Sequence, residues 1–122
     1  SFPDKKVLII YGDGSLGLNG FEYDTAIRFG LPIVGIVGND AAWGQMLRPQ
    51  IGIYGKERAV ATYLRPTRYD KVVEALGGHG EYCERPDEIR PALERAFASG
   101  KPALINVMIR RDETEPKGST YV

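Results

Sequence analysis

The chain has 122 residues and a mass of 13.5 kDa, with 43% hydrophobic and 26% charged residues, which is one domain's worth of globular composition and excludes disordered, collagen-like and disulfide-scaffold classes. Sixteen Lys+Arg balance sixteen Asp+Glu at a pI near 6.6, so the basic footprint of a nucleic-acid or acidic-membrane binder is missing. The single cysteine, Cys83, can close no internal disulfide, and no apolar run approaches the ~18 residues needed to span a bilayer, so the expectation is a cytoplasmic protein without signal peptide or anchor and with Cys83 as a buried, inert thiol.

Val7-Leu8-Ile9-Ile10-Tyr11 is a continuous apolar run stopped by Gly12-Asp13-Gly14, which predicts a strand buried on both faces and ended by a tight turn. Residues 18–29 have helical length and composition, with Gly30 and Leu31-Pro32 as a stop. Ile33-Val34-Gly35-Ile36-Val37 predicts a second strand closed by Gly38-Asn39-Asp40, and strand, helix, strand makes a right-handed parallel unit. Residues 41–66 have weak periodicity and scattered glycines, and read as a functional loop with room for one short helix. Tyr69, Val72, Val73 and Leu76 fall at i, i+3, i+4, i+7 before Gly77-Gly78, which predicts a second helix, and Glu81-Tyr82-Cys83 a short strand. Ile89, Ala92, Leu93, Ala96 and Phe97 repeat the helical spacing after Pro86-Asp87-Glu88, and residues 103–109 read as a last buried strand. The alternation predicts the α/β class: a doubly wound, mainly parallel sheet with helices on both faces.

In such sheets ligands bind beyond the carboxyl ends of strands, and two neighbouring loops here, Gly12-Asp13-Gly14-Ser15 and Asn39-Asp40-Ala41-Ala42-Trp43-Gly44, should open onto one crevice. Glycine lets backbone approach a phosphate, and Asp13 and Asp40 can hold a hard cation that bridges phosphate oxygens. Each loop alone is also ordinary turn chemistry.

Together with Glu22, Thr25-Ala26 and Leu31-Pro32, the two loops resemble the thiamine-diphosphate motif, which begins Gly-Asp-Gly and ends Asn-Asn. The resemblance is to the C-terminal cofactor-binding (PP) domain of the acetolactate synthase, oxalyl-CoA decarboxylase and 2-hydroxyacyl-CoA lyase group. It continues through Tyr69-Asp70-Lys71-Val72, Leu76-Gly77-Gly78-His79-Gly80, Arg85-Pro86-Asp87-Glu88-Ile89 and residues 101–107. It implies a PP domain over residues 1–109 and a polar tail over 110–122, which reads as disordered, though C-terminal segments in some relatives close over the active site. That family domain starts well before its Gly-Asp-Gly, so the resemblance implies an N-terminally incomplete fold, the C-terminal piece of a larger enzyme.

Carried over residue by residue, the resemblance makes Asp13, Asp40 and the Ala42 carbonyl ligands of Mg²⁺. Gly12, Gly14, Ser15, Trp43 and Gly44 would line the diphosphate. Asp40 departs from the family's second Asn and adds a negative charge beside a polyanionic ligand. No catalytic residue is expected in this chain: the carboxylate that activates the cofactor sits on a separate PYR domain, usually of a partner subunit, and Glu22 reads as structural. The implied activity is making or breaking carbon–carbon bonds next to a carbonyl, acetolactate-synthase-like on 2-oxo acids, with FAD as an added cofactor in that case. The alternatives are an acyl-CoA substrate, as in a 2-hydroxyacyl-CoA lyase or oxalyl-CoA decarboxylase, and a non-catalytic diphosphate-binding module. The implied partners are a PYR-bearing chain of the same enzyme, in a homodimer or homotetramer, and a small-molecule substrate, with neither nucleic acid nor membrane.

Three further groups carry both a functional and a bland reading. His79, the sole histidine, lies between glycines before a strand and reads as a connection residue rather than a catalyst. Trp43 leans to the cofactor site. Arg48, Lys56, Arg58, Arg65 and Arg68 are either a coenzyme A phosphate patch or a solvated surface.

Overall fold

The computed structural model describes residues 5–111. Four strands, β1 (Val7–Gly12), β2 (Ile33–Asn39), β3 (His79–Cys83) and β4 (Ala103–Met108), form one sheet in the order β1-β2-β4-β3, every neighbouring pair parallel. The helices are α1 (Asp13–Asn19), α2 (Glu22–Arg28), α3 (Gly44–Tyr54), α4 (Tyr69–Leu76) and α5 (Pro86–Ala98), with a single 3₁₀ turn at Lys56–Arg58. The α/β architecture with helices on both faces is the one expected from the alternation of apolar runs.

β4 sits in the middle of the sheet, and its period of two divides the core between the faces. Ala103, Ile105 and Val107 pack with Val34, Cys83 and the Ala92 and Ala96 face of α5. Leu104 points the other way, into Leu16, Tyr23, Val37 and Val73 beneath α1, α2 and α4. Leu104 and Ile105 are fully buried, each stabilising the fold by about 1.5–3 kcal/mol. Gly35 in β2 is required by this second cluster. A methyl there would run into the hydroxyls of Tyr23 and Tyr11, which hydrogen-bond each other at 2.5 Å while Tyr23 also donates to the Ala103 carbonyl at 3.3 Å.

Three expectations are corrected. The helix expected over 18–29 is two helices, the first starting at Asp13 directly after the strand, with the break at Gly20 and Phe21. The Gly20 amide donates to Leu16 O at 2.7 Å, and a Cβ on Gly20 would lie 2.8 Å from that oxygen, so the tight passage depends on glycine. The 41–66 segment has the one helix it had room for, but α3 is eleven residues long despite Pro49 inside it, so less of the segment is loop than expected. Pro49 forfeits one i→i−4 bond, and Gly55 at φ 88° ends the helix. Finally, β1 is not buried on both faces. It is an edge strand, and Ile10 is 72% exposed. The continuous apolar run specifies a strand with two coverable faces, but the described residues place cover over only part of them.

Candidate functional site

Gly12 and Gly38 are register partners at the carboxyl ends of β1 and β2, so the segments that follow them face each other across a cleft of about 370 Å³. All eight residues singled out from sequence, Gly12, Asp13, Gly14, Ser15, Asp40, Ala42, Trp43 and Gly44, line it, together with Arg48 and Ile109. The Trp43 indole lies on the Gly14 backbone, 3.5 Å from where a Cβ would stand.

Asp13 is the most telling residue. It is 1% exposed, its Oδ1 accepts the Gly14 amide at 2.9 Å, and its Oδ2 is buried with no hydrogen-bond partner among the described residues. Burial pushes its carboxyl pKa up and the Asp40 charge adds to this, against the opposing dipoles of the Gly14, Ala42 and Ala41 amides. An unsatisfied buried oxygen costs about 1–3 kcal/mol. A cation between the two carboxylates would remove that cost. Among the described residues no group of three or more His, Cys, Asp or Glu could hold a metal, so a cation here completes its shell with main-chain, ligand and water oxygens. That donor set suits Mg²⁺, which binds through one or two carboxylates plus phosphates and retained water. Asp13, Asp40 and the Ala42 carbonyl are the protein donors that fit, and the flanking glycine backbones leave room for a phosphate chain.

The loop carrying Asp40 is held in a strained shape. Ala41 has φ 54°, a left-handed conformation that costs a non-glycine residue about 1–3 kcal/mol unless its surroundings impose it. They do so from three sides. The Ala41 amide donates to Asn39 Oδ1 at 3.1 Å. Its carbonyl accepts from Leu64 N and from Arg111 Nη2, both at 2.8 Å, while Arg111 Nε donates to the Asp40 carbonyl at 2.9 Å. The Trp43 amide donates to Thr62 O at 2.8 Å, and the Arg111 guanidinium stands 5.1 Å from the centre of the Tyr63 ring.

Beneath the loop lies a buried polar chain that sequence reasoning missed. Asn39 Nδ2 donates to Thr67 O at 2.9 Å and to Asn106 Oδ1 at 3.1 Å. Asn106 Nδ2 donates to Thr67 O at 3.1 Å and to Asp70 Oδ1 at 3.3 Å. Arg68 grips Asp70 with two bonds of 2.9 and 2.6 Å and lies 3.9 Å over the Tyr82 ring. Burial alone would raise the Asp70 pKa, but the bonds from Arg68 and Asn106 win and hold it below the usual carboxylate range. The one signal for this chain in the sequence is Asn106, a polar residue inside an otherwise apolar strand.

Other sequence candidates fall elsewhere. Glu22 is exposed at the start of α2 and lines a separate groove beside β1. His79 begins β3 and bonds Glu81, itself gripped by Arg95, in keeping with a connection residue. Cys83 is buried, which pushes its thiol pKa up, as expected of an inert thiol. The five basic residues do not act as one patch: Arg48 lines the cleft while Arg68 is committed to Asp70. Residues 112–122 of the expected tail lie outside the described residues. Among the described residues no helix is long and apolar enough to cross a membrane.

Comparison with known proteins points the same way as the cleft. Residues 1–107 match the family described as "Thiamine pyrophosphate enzyme, C-terminal TPP binding domain". The acetolactate synthase large subunit IlvG of Mycobacterium tuberculosis is 47% identical over 118 residues, covering 96% of this chain and 21% of that protein. The 2-hydroxyacyl-CoA lyase 2 of Caenorhabditis elegans is 43% identical over 118 residues, covering 92% of this chain and 18% of that protein. Among solved structures, the Rhodococcus jostii RHA1 thiamine diphosphate-dependent 4-hydroxybenzoylformate decarboxylase superposes with a TM-score of 0.81 at 25% identity, over 92% of this chain and 21% of that one. The chain thus spans about a fifth of the length of these relatives. It belongs to the thiamine pyrophosphate (thiamine diphosphate) enzymes, as their C-terminal cofactor-binding domain.

Proposed function

We propose that this domain anchors thiamine diphosphate through a Mg²⁺ held by Asp13, Asp40 and the Ala42 carbonyl, within an enzyme that joins 2-oxo acids as an acetolactate synthase does. The observation that carries the anchoring role is the buried, unpartnered Oδ2 of Asp13 beside a second carboxylate, in a cleft walled by glycine backbone. When bound, the cofactor supplies a stabilised carbanion for making or breaking a bond next to a carbonyl. The chain's own work is placement. Asp13 and Asp40 fix the cation, Ala41 is locked so that both of its neighbours face the cleft, and Trp43 shields one wall from water. The activating carboxylate is assigned to the PYR domain of a partner subunit in a homo-oligomer.

The 2-oxo acid reading is supported by the 47% identity to the mycobacterial acetolactate synthase subunit. The 43% identity to a 2-hydroxyacyl-CoA lyase supports a second reading, cleavage of a 2-hydroxyacyl-CoA. Turnover assays on the purified enzyme with each substrate, with coenzyme A as a competitor, separate them. Product from 2-oxo acids alone and indifference to coenzyme A are expected. Competitive inhibition by coenzyme A together with acyl-CoA cleavage would overturn the first reading, and release of flavin on denaturation tests for FAD.

A further inference from the structure

Two carboxylates and one divalent cation cancel each other, and a diphosphate then brings several negative charges into a partly enclosed space. Asp40 makes this worse than the family pattern would, because the Asn of the usual Asn-Asn motif is neutral. Among the described residues that line the cleft, Arg48 is the one cation. It lies one turn along α3 from Gly44, and its side chain folds back toward the start of that helix. Its Nη1 lies 3.4 Å from the point where a Cβ on Gly44 would stand, and Asp40 Oδ2 lies 3.7 Å from the same point. Gly44 therefore lets an acid and a base approach one bare stretch of backbone. The base is nevertheless unspent: Arg48 Nε is buried with no hydrogen-bond partner, and among the described residues no acid forms an ion pair with it.

A guanidinium that lines a phosphate-sized cleft and has no acid paired with it is free to meet an anion there, and the planar fork of Arg suits phosphate oxygens. We infer that Arg48 is a ligand-binding residue of this cleft, which takes the anionic end of the phosphate chain and offsets the charge that Asp40 adds. The inference rests on the diphosphate reading above and extends it to a residue outside the family motif.

The test uses the intact enzyme and equilibrium dialysis of thiamine diphosphate, and of inorganic diphosphate as a minimal probe, at saturating Mg²⁺. Arg48→Gln is expected to weaken both ligands roughly 10- to 100-fold, with Arg48→Lys recovering part of the loss. Binding of Mn²⁺ without phosphate ligand, read by electron paramagnetic resonance, should stay within about threefold, which shows that the site is still folded. In an Asp40→Asn background the loss caused by Arg48→Gln should shrink by roughly threefold or more, because there is less charge to offset. Unchanged ligand affinity in Arg48→Gln, equal losses in the two backgrounds, or a parallel loss of Mn²⁺ binding would each overturn the inference. A wild-type enzyme that takes up no thiamine diphosphate with Mg²⁺ would instead overturn the anchoring role itself.

Discussion

If Asp13 anchors a cation as proposed, it is held for that ligand at the expense of the empty protein, and Asp13→Asn should separate the two. The amide keeps an oxygen for the Gly14 N–H, now 2.9 Å away, and replaces the unpartnered Oδ2 with an NH₂ that can face Asp40. Removing one unsatisfied buried oxygen is worth about 1–3 kcal/mol, and 1 kcal/mol moves Tm by about 4 °C in a chain of this length. In metal-free buffer at neutral pH the variant should therefore melt at least about 4 °C above wild type. With Mg²⁺ at 100 times Kd the wild type should gain about 2.7 kcal/mol and the variant nothing. The pH dependence has a definite sign. The folded pKa of Asp13 is raised, so between the unfolded value near 3.9 and that raised value the folded state binds the extra proton. The penalty is absent below the unfolded value, grows as pH rises through the folded one and is complete above it, so the advantage of the variant should vanish on acidification. Differential scanning calorimetry in a pH series rising from about pH 4 reads this change. A metal-free variant less stable than wild type, or one still stabilised by Mg²⁺, would refute the reasoning.

Three other outcomes follow from the buried contacts. Asn106→Leu deprives Asn39 and Asp70 of a partner at once and should cost about 2–4 kcal/mol, read from the urea midpoint, with Mg²⁺ affinity falling as Ala41 is released. Arg68→Gln removes the bonds that depress the Asp70 pKa. The stability from that depression is present above the unfolded carboxylate value and is lost as pH falls through the folded one, so the variant's acid-unfolding midpoint should move to higher pH; an unmoved midpoint would dismiss the Arg68 bonds as its source. Gly35→Ala should destabilise by about 1–3 kcal/mol through overpacking, and Phe at both Tyr11 and Tyr23 should restore part of it in thermal melts.

Much of the fold and of the cleft is legible in local chemistry. β2, β4, α4 and α5 follow from apolar period and terminal glycines, and the two cleft loops follow from glycine and acid at strand ends. The break at Gly20 is hidden because its cause is a carbonyl four residues back along the chain, and the full length of α3 because Pro49 argues against a helix that its neighbours nevertheless stabilise. The clamps on Ala41 are invisible for a deeper reason: Asn106 and Arg111 lie 65 and 70 residues away in sequence, and only the sheet order brings them to the loop. The exposure of β1 escapes the sequence because an apolar run reports a capacity for burial, not its fulfilment.

That sheet order also has a consequence for how the molecule comes to exist. β4 is the last of the four described strands to be synthesised yet lies between β2 and β3, so the inner edges of both stay open until residues 103–108 leave the ribosome. Growing chains of this kind expose unpaired edges for as long as the missing strand is outstanding. Because β4 also carries Asn106, the partner of Asn39, the ligand loop cannot take its final shape earlier. A nascent or truncated chain that stops short of β4 is thus denied both a complete sheet and the bonded form of the Asp40 loop by the same omission.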